Sequence, residues 1–449
     1  MSKKVRIAIV GAGISGISSA YALRKESNLE ITLFEKGSYI GGHSNTIDFT
    51  PLKHQQSFPI DTGFLVFNEW TYPGIIAFFK ELNVPIAKSD MSFSVSVPKT
   101  NGARLEWAGD NLNTIFAQRK NIFNPPFLSM VWDILRFNRM GKKIALQNLE
   151  LSQENPLESV GEFLDRMKLS SSFRDWYLLP MIGSIWSCPI SEMLNFPIHT
   201  LMQFCHNHGL LNVLNRPQWL TVKGGSKEYV LRAVHALKTA GVNIRQDKVL
   251  TCVRSPSSQF PNVQLRLNNG EDLTFDKVIF ACHSDEALGI LSEPSTQEKE
   301  ILSAITYKNN IAYVHEDRQL LPTLSLVWAA WNYSCERFNS KGLDESNGVC
   351  VHYLINKLQP IPVSSSDTPV IVSLNPQVLP SPDKTHAKIE YSHPVFNQTA
   401  ILAQQKLPLI QGLNHTYFCG AWTKYGFHED GFQSGQRVAQ ALMHSLISI

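Results

Sequence analysis

Apolar and polar positions along this chain form blocks that predict strands followed by helices. An apolar run from Val5 to Val10 precedes a helical stretch through Leu23, and a second apolar run ends at Phe34. Parallel strands buried on both faces have such continuous apolar runs, and a helix between two of them completes a βαβ unit. The N-terminus is therefore predicted to begin an α/β domain.

The same pattern recurs over residues 222–282. Gly224 and Gly225 precede an amphipathic helix, and the alternating strand 263–267 leads into a hairpin turn at 268–270. A buried strand then ends at Cys282.

A third block of this kind lies at the C-terminus. The apolar run from Thr416 to Trp422 precedes the glycine-rich segment 426–435, which we interpret as a turn, and a helix is predicted over 436–446. The three blocks predict a discontinuous, Rossmann-type nucleotide-binding domain over 1–65, 216–294 and 396–449. The remaining segments, 66–215 and 295–395, are assigned to an α+β substrate-binding domain.

Three glycines follow the first apolar run. Gly11 provides a tight turn, Gly13 allows close approach of a pyrophosphate, and Gly16 allows the helix to pack closely on the strand. The helix N-terminus that follows favours an anion. Glu35 closes the next strand, where a carboxylate accepts hydrogen bonds from ribose hydroxyls and disfavours the 2′-phosphate of NADP.

A second glycine pair, Gly41 and Gly42, lies six residues after Glu35. Its backbone amides are expected to approach the same pyrophosphate. This addition is typical of FAD enzymes with two dinucleotide-binding motifs.

Composition narrows the class of protein. The chain has 449 residues, 43% hydrophobic content and a formal charge of +3, which does not favour nucleic acid as a partner. No run of about 18 apolar residues predicts a membrane span. The seven cysteines lie mostly in apolar runs without a Cys-x-x-Cys pair, which predicts reduced thiols in a cytoplasmic protein: Cys188, Cys205, Cys252, Cys282, Cys335, Cys350 and Cys419.

Several motifs together resemble the flavin amine oxidase superfamily. They are the N-terminal glycine turn with its second glycine pair, the turn at 61–64, the strand 276–281 and the C-terminal segment 420–435. More narrowly, segments 67–69, 89–96, 281–285 and 425–431 resemble a bacterial group of FAD-binding oxidoreductases associated with the synthesis of cyclopropane and methylated (furan) fatty acids. The resemblance covers nearly the whole chain, but the fold does not name the substrate.

The resemblance implies a set of residues that line FAD. Asp430 has an alternative role as a helix cap. The set comprises Gly11, Ala12, Gly13, Ile14, Ser15, Gly16, Glu35, Lys36, Gly41, Gly42, His43, Ser44, Asp61, Thr62, Gly63, Phe64, Val249, Ala281, Gly420, Asp430, Gly431 and Phe432.

Tyr425 and His428 are the catalytic candidates, because they flank the glycine turn expected beside the flavin ring and can exchange protons. A histidine that only holds the turn is an equally good interpretation of His428. His206 and His208 lack a third ligand at a suitable spacing, so no metal site is predicted. No lysine or cysteine matches the flavin-adjacent positions of amine oxidases.

The substrate domain is rich in aromatic residues and has few charges suited to grip an amine. This composition predicts an apolar cavity for a small molecule or a lipid. The aromatic residues assigned to its walls are Trp176, Tyr177, Trp186, Phe196, Phe204, Trp219, Trp328, Trp331, Tyr333 and Tyr353.

Segment 119–143 combines an apolar face with basic flanks. This pattern is typical of a peripheral contact with the inner face of a membrane, and equally of a helix that packs on the substrate domain. The apolar positions are Phe123, Phe127, Met130, Val131, Trp132, Ile134, Leu135 and Phe137.

These observations give one leading hypothesis and two rivals. The leading hypothesis is an FAD-dependent oxidoreductase that desaturates a fatty acyl chain or rearranges its double bonds, on methylated phospholipid acyl groups among others, with an unidentified electron acceptor. The rivals are an oxidase of a small amine and a non-catalytic protein that binds flavin and lipid.

Overall fold

The computed structural model describes residues 4–99, 102–147, 158–186, 190–212, 215–255, 263–336, 338–339, 342–343 and 349–447. The α-helices, in chain order, are α1 Ile14–Leu23, α2 Pro73–Glu81, α3 Leu112–Ile115, α4 Pro125–Ala145, α5 Val160–Arg166, α6 Ser171–Phe173, α7 Leu179–Trp186, α8 Ile190–Leu194, α9 Ile198–Asn207, α10 Lys227–Thr239, α11 Ser284–Ile290, α12 Thr296–Ser303, α13 Ile355–Leu358, α14 Gln398–Lys406 and α15 His428–Ile447. The strands are β1 Val5–Val10, β2 Leu29–Phe34, β3 Thr46–Phe49, β4 Phe58–Asp61, β5 Phe67–Asn68, β6 Ile86–Lys88, β7 Phe93–Pro98, β8 Arg104–Ala108, β9 Trp219–Val222, β10 Asn243–Arg245, β11 Val249–Arg254, β12 Val263–Leu267, β13 Asp272–Phe275, β14 Lys277–Phe280, β15 Thr306–His315, β16 Trp331–Ser334, β17 Phe338–Asn339, β18 Gly342–Leu343, β19 Cys350–Leu354, β20 Ile371–Leu374, β21 Thr385–Val395 and β22 Thr416–Phe418.

The first main sheet is parallel and has the order β10-β2-β1-β14-β22. Its strands come from three separate parts of the chain. Ile7 and Ile9 of β1 pack on one face with α1, α10 and α15, whereas Ala8 and Val10 pack on the other face beside the sheet β11-β12-β13. Burial on both faces is the reason that these strands are continuously apolar. The parallel sheet with its helices is an α/β Rossmann-like arrangement.

The second main sheet has the order β21-β15-β20-β19-β16-β7-β8. Its neighbours are antiparallel except for β7 and β16, which run parallel. Helices α4 to α9 share a hydrophobic core with this sheet, and that core contains Phe137, Phe173 and Met202. The sheet and these helices form the aromatic-rich part of the molecule.

The cores do not follow the sequence boundary at residue 65. Ile75, Phe78 and Phe79 of α2 pack in the core of the parallel sheet, whereas Phe49 and Ile60 pack in the core of the second sheet. The chain crosses between the two sheets more often than the domain prediction assumes. The domain limits themselves stay a prediction.

The C-terminal helix begins earlier than the glycine pattern predicts. Segment 426–435 was expected to be a turn, yet α15 begins at His428 and includes Gly431 and Gly435. A Cβ atom at Gly435 would lie 2.3 Å from the carbonyl oxygen of Ser15, and one at Gly431 would lie 2.8 Å from Ile14 Cγ2. These glycines therefore serve close packing of α15 against α1, although glycine disfavours a helix by ~0.5–1 kcal/mol per residue.

The apolar positions of segment 119–143 lie on two different faces of α4. Phe127, Met130 and Phe137 are fully buried in the core of the second sheet, whereas Phe123 and Trp132 are exposed. The expectation of a single apolar face is thus wrong, because one stripe packs inward. No helix in the described part of the chain is both long enough and apolar enough to cross a membrane.

The buried thiols are unreactive. Burial raises the pKa of Cys205, Cys252, Cys350 and Cys419 to about 12. Cys188 lies outside the described residues.

Candidate functional site

The turn after β1 is shaped by two glycines in close contact. Gly11 has φ +106°, and a Cβ atom there would lie 2.8 Å from the carbonyl oxygen of Ala281. A Cβ atom at Gly16 would lie only 1.9 Å from the carbonyl oxygen of Gly11. These contacts leave no room for side chains between β1, α1 and the end of β14, where Ala281 donates its N–H to Val10 (2.8 Å).

Gly13 is different, because open space lies above it. It has φ −74° and no atom lies within 4 Å of the position a Cβ would take. Gly13 is also the N-cap of α1, and no side chain caps this helix end. The amides of the first turn of α1 are thus available to an anion, as in dinucleotide sites.

The second glycine pair, Gly41 and Gly42, packs against the turn that follows β1. Gly41 donates its N–H to the carbonyl of Ala12 (3.0 Å) and forms a bridge with Gly13. Gly42 has φ +59°, and a Cβ atom there would lie 3.3 Å from Gly13 Cα. Both glycine segments therefore border the same space.

Glu35 lies at the end of β2 and orders the glycine turn. Its carboxylate accepts hydrogen bonds from the N–H groups of Ala12 (3.0 Å) and Gly37 (2.8 Å). Each carboxylate oxygen has a further lone pair that a ribose hydroxyl can use. Lys36 forms an ion pair with Glu286 in the first turn of α11.

Residues 43–46 and 61–64 lie side by side. Phe64 donates its N–H to the carbonyl of His43 (2.8 Å), and the hydroxyl of Thr62 donates to the carbonyl of Asn45 (3.0 Å). A Cβ atom at Gly63 would lie 2.3 Å from the carbonyl oxygen of His43. Gly63 is thus required by close packing within this pair of segments.

Asp61 links distant parts of the chain. Its carboxylate accepts hydrogen bonds from Thr46, from the N–H and hydroxyl of Ser226, and from the Gln359 side chain (2.8 Å). Burial raises its pKa to about 6. Protein donors therefore surround Asp61, and the structure gives it a structural role.

His43 has a buried nitrogen without a partner. Its Nε2 forms no hydrogen bond within the described residues, and its ring stacks on Tyr391 at 5.1 Å. Burial and the neighbouring His283 and His393 hold its pKa well below the ordinary value. Because a buried polar nitrogen needs a partner, His43 is suited to donate to a cofactor oxygen.

Asp430 lies in the first turn of the C-terminal helix and caps the N-terminus of that helix. Its carboxylate accepts a hydrogen bond from the N–H of Phe427 (3.1 Å), just before α15 begins, and burial raises its pKa to about 6. Phe432 accepts a hydrogen bond at its carbonyl from the Ser18 hydroxyl (2.7 Å), and Gly431 lies against α1. The N-terminus of α15 is thus held beside that of α1.

The two other predicted cofactor residues lie near the ends of strands. Val249 is buried at the start of β11 in the same core as Val10 and Phe34. Gly420 follows β22, and its N–H donates to the Ser434 hydroxyl (3.0 Å) in α15. Gly11, Glu35, Ala281 and Gly420 all lie just beyond the carboxyl ends of parallel strands, which is the edge where α/β folds bind ligands.

His428 is tied to the second glycine segment. Its Nε2 lies 2.7 Å from the Tyr229 hydroxyl and 3.2 Å from Ser44 Oγ, and its ring stacks on Phe64 at 3.8 Å. Burial lowers its pKa to about 3. Tyr229, which the sequence did not single out, completes this network. The geometry favours the alternative in which His428 holds the local structure.

Tyr425 faces a different environment. Its hydroxyl donates to Gln203 Oε1 of α9 (3.1 Å), and its carbonyl accepts a hydrogen bond from Trp186 Nε1 (3.2 Å). Burial raises its pKa to about 12. The structure therefore does not place Tyr425 and His428 on a common hydrogen-bond partner.

A wall of aromatic rings surrounds Phe427, the residue between them in the chain. The Phe427 ring lies 5.0 Å from Phe204, 5.6 Å from His208 and 6.4 Å from Trp186. His208 also stacks on Trp219 at 6.5 Å, and burial lowers its pKa to about 4. We call Trp186, Phe204, His208, Trp219 and Phe427 the aromatic wall. Phe427 and His208 were missed as wall residues, although Phe204 and His208 have the i, i+4 spacing of one helix face.

Other predicted wall residues lie elsewhere. Tyr177 and Tyr333 are part of the core of the second sheet, and Trp331 and Tyr353 pack on each other there. Trp328 packs on a small separate cluster with Leu354.

A cavity of about 220 Å³ lies beside Tyr425, whose ring is 5.8 Å from that of Phe204 in the aromatic wall. One lysine and several uncharged polar groups line it, and no carboxylate does so in the described part of the chain. The lining residues are Phe196, His199, Thr200, Gln203, Phe396, Ile401, Gln404, Gln405, Lys424 and Tyr425.

Comparison with known proteins agrees with this arrangement at the N-terminus. Residues 9–82 match the family described as NAD(P)-binding Rossmann-like domain. The polyenoic fatty acid isomerase of Ptilota filicina is 30% identical over 115 residues, which cover 25% of this chain and 23% of that protein. The protein described as probable polyamine oxidase 5 of Arabidopsis thaliana is 46% identical over 55 residues, covering 12% and 10%. The chain thus matches less than a quarter of the length of either curated relative.

Solved structures resemble the chain over nearly its whole length. A putrescine oxidase variant has a TM-score of 0.66 at 14% identity and covers 98% of this chain and 99% of that one. A CLA-producing fatty acid isomerase from P. acnes has a TM-score of 0.66 at 13% identity, with the same coverage.

Residues 9–82 and the geometry of the glycine turn define a dinucleotide-binding, Rossmann-like domain. Over nearly its whole length, the chain shares its fold with the putrescine oxidase and the fatty acid isomerase. The open amide cradle, the free lone pairs of Glu35 and the unpartnered His43 nitrogen fit a dinucleotide cofactor such as FAD.

Proposed function

We propose that this chain is an FAD-dependent oxidoreductase that acts on a fatty acyl chain, either by desaturation or by rearrangement of double bonds. The observation that carries the proposal is the cavity beside Tyr425, which is lined by Phe196, Phe396 and Ile401 together with Lys424 and, among the described residues, by no carboxylate. An apolar chain gains free energy by leaving water for such a surface, at about 0.8 kcal/mol per buried CH₂ group. The short similarity to a polyenoic fatty acid isomerase supports the same substrate class.

The residues around the N-terminal turn are proposed to bind the cofactor. Bound FAD supplies hydride transfer at its ring. The amides of the α1 N-terminus, with that of Gly42, would hold the pyrophosphate, since the N–H of Gly41 already donates to Ala12. Glu35 would accept hydrogen bonds from the ribose. His43 would donate to a cofactor oxygen as a neutral imidazole, because its pKa is well below its ordinary value.

The two catalytic candidates receive different roles in this proposal. His428 acts as a positioning residue, because its pKa of about 3 makes it a poor proton acceptor and its Nε2 is shared with two hydroxyls. Tyr425 remains protonated near neutral pH, since its pKa is about 12. It is therefore a hydrogen-bond donor whose hydroxyl is held by Gln203, and it is unsuited to remove a proton from a substrate near neutral pH.

Oxidation of a small amine is the rival activity. The short match to a polyamine oxidase and the fold shared with putrescine oxidase are the reasons to test amine oxidation as well. A protonated amine needs a carboxylate or an equivalent acceptor, whereas Lys424 at the cavity repels it. This charge supports the proposal of an acyl chain over that of a small amine.

The two activities are separated by adding substrates to the purified full-length holoprotein without oxygen. A polyunsaturated fatty acid, a phospholipid with the same acyl chain, and putrescine are compared by flavin bleaching and by mass spectrometry of the products. Bleaching with a product two hydrogens lighter indicates desaturation, and an isomer of unchanged mass indicates rearrangement; either outcome supports the proposal. Bleaching by putrescine alone, or no change with any lipid, would overturn it.

A matched pair of variants localises the activity. Phe427→Leu changes the centre of the aromatic wall and is expected to lower acyl turnover about tenfold. Trp328→Leu removes a comparable ring from the separate cluster with Leu354 and is expected to leave turnover near wild type. Equal losses in both variants would place the substrate elsewhere.

A further inference from the structure

Helix α4 carries a second apolar stripe that the protein core does not cover. Leu128, Trp132 and Leu135 follow one another at helical spacing and are 42%, 64% and 48% exposed. Phe123, in the short 3-10 helix Arg119–Phe123 just before α4, is 86% exposed. Large contiguous apolar surfaces of this kind mark sites of interaction.

The stripe continues into basic residues on the same side of the helix. Arg139 and Lys142 follow Leu135 at spacings of four and three residues, so they lie in line with Leu128, and Lys143 lies beside them. From Leu128 to Lys142 this line is about 21 Å long. One side of α4 is therefore apolar in its first half and cationic in its second half.

The charge of the segment is strongly one-sided. Between residues 112 and 146 the only acidic residue is Asp133, which is buried and paired with Arg136 (2.6 Å). Arg119 donates to the neutral Asn113 and to backbone, while Lys120, Arg139, Lys142 and Lys143 are exposed and form no ion pair within the described residues. Five cations are thus left to face an outside partner.

We propose that this face of α4 docks on the surface of an anionic lipid bilayer, with Phe123 and Trp132 among the lipid head groups and the basic residues on lipid phosphates. Aromatic rings and leucines suit the apolar part of a bilayer surface, and the neighbouring lysine and arginine side chains suit its anionic phosphates. The docking itself does not depend on the substrate of the enzyme.

The position of α4 connects the docking face to the candidate site. Its opposite face packs on α9, where a Cβ atom at Gly141 would lie 2.6 Å from Met202 Sδ. Helix α9 also carries Gln203 and Phe204, and His208 follows its last residue. If the proposed acyl substrate is correct, docking therefore brings the aromatic wall close to membrane acyl chains.

Flotation of the full-length holoprotein with vesicles tests the docking. Phosphatidylcholine vesicles are compared with vesicles that also contain phosphatidylglycerol, at low and at high salt. The protein is expected to float with the anionic vesicles at least about tenfold better than with the neutral ones, and salt is expected to reduce the difference. No binding to anionic vesicles, or equal binding to both kinds at every salt concentration, would overturn the proposal.

Two variants of the face and one control define the contact. Trp132→Ser with Phe123→Ser removes the aromatic anchors, and Lys142→Glu with Lys143→Glu reverses the charge; each pair is expected to weaken vesicle binding at least about tenfold. Leu231→Ser, at a 60% exposed position on α10, is expected to leave vesicle binding unchanged. All of these substitutions are at exposed positions. The flavin content and the thermal midpoint of each variant show whether it folds.

A second copy of the chain is the competing occupant of the face. If the double variant Trp132→Ser with Phe123→Ser is a monomer where the wild type is a dimer, and its vesicle binding is unaffected, the face is a self-association surface and the proposal is wrong. Loss of vesicle binding with unchanged acyl turnover on soluble substrate would support docking while leaving the proposed function intact. The two proposals can therefore fail separately.

Discussion

The nucleotide cradle and the aromatic wall are assembled from different kinds of contact. The cradle is built from backbone that touches backbone at glycines, as where Gly16 meets Gly11 and Gly435 meets Ser15. The wall is built from large side chains that come from α7, α9, β9 and the segment before α15. Backbone contacts tolerate no added atom, whereas side-chain packing tolerates exchange at moderate cost. This contrast predicts how each region responds to mutation.

The largest effect is expected at the closest backbone contact. Gly16→Val places a Cβ atom only 1.9 Å from the carbonyl oxygen of Gly11, so the turn cannot form. We expect loss of bound flavin and destabilisation by about 3 kcal/mol or more. Gly13→Ala is the matched control, because its Cβ meets open space and its φ suits any residue. It should fold normally and yet lose flavin affinity, because the methyl group enters the space assigned to the pyrophosphate.

Denaturant unfolding and flavin content of the two variants measure this contrast. Normal flavin binding by both would show that the cradle is not where the cofactor lies.

Asp61 is the next most sensitive position, because it connects three segments that lie far apart in the sequence. Asp61→Ala leaves the donors of Thr46, Ser226 and Gln359 without their acceptor, and we expect a loss of about 3 kcal/mol in the free energy of unfolding. Asp48→Ala, at an exposed carboxylate on the same hairpin, serves as the control. Chemical denaturation measures both variants, and similar small losses of stability would show that Asp61 does not hold these segments together.

The buried histidines make stability depend on pH. Burial lowers the pKa of His208 to about 4, so it is neutral when folded, whereas in the unfolded chain it titrates near its ordinary value. Below about pH 6.5 the unfolded chain therefore binds protons that the folded chain does not, and stability falls as the pH falls towards 4. His208 alone contributes about 2 kcal/mol to this fall at pH 5.

Four further buried histidines add to the same trend, and two carboxyl groups oppose it. The pKa values of His315 and His393 are lowered to about 4 and those of His352 and His428 to about 3. Asp61 and Asp430, with pKa values raised to about 6, take up protons when folded and so add stability in acid. The destabilising effect of the five histidines in acid is larger than the stabilising effect of the two carboxyl groups. We therefore expect the thermal midpoint to decrease as the pH is lowered from 7 to 5.

Two variants test whether His208 causes part of this pH dependence. His208→Phe keeps a ring in the aromatic wall and should make the fall shallower, whereas His235→Gln, at an exposed position on α10, should not. A thermal midpoint that stays constant or rises on acidification would contradict the assignment.

The smallest effect is expected in the hydrogen-bond network of His428. His428→Asn and Tyr229→Phe each remove part of one shared network, which is worth about 1 kcal/mol, so turnover should fall about tenfold or less in both. A positioning role predicts the same pH profile of kcat as in the wild type for both variants. A much larger loss in His428→Asn alone, with a shifted pH profile, would identify His428 as a proton acceptor.

The sequence predicts the cradle better than the wall, and the reason is physical. The glycines at 11, 13 and 16 act within a few residues of one another, so their spacing alone defines the turn. The strands of the parallel sheet are recognisable because burial on both faces makes each one continuously apolar. The mixed α/β fold with its Rossmann-like domain was confirmed accordingly.

The failures concern features that depend on distant neighbours. Gly431 and Gly435 lie in a helix because α1 packs against them, and no local signal separates them from glycines of a turn. The outward position of Trp132 and the inward position of Phe127 depend on which side of α4 meets the second core. Tyr229 joins His428 and Ser44 across about 200 residues of sequence, and no spacing rule connects them.

Flavin analysis of the purified full-length protein tests the central claim most directly. The account predicts a yellow protein that releases about one FAD per chain on denaturation and rebinds it on refolding, and that loses it in Gly13→Ala. A colourless protein that takes up no FAD on reconstitution would contradict the account.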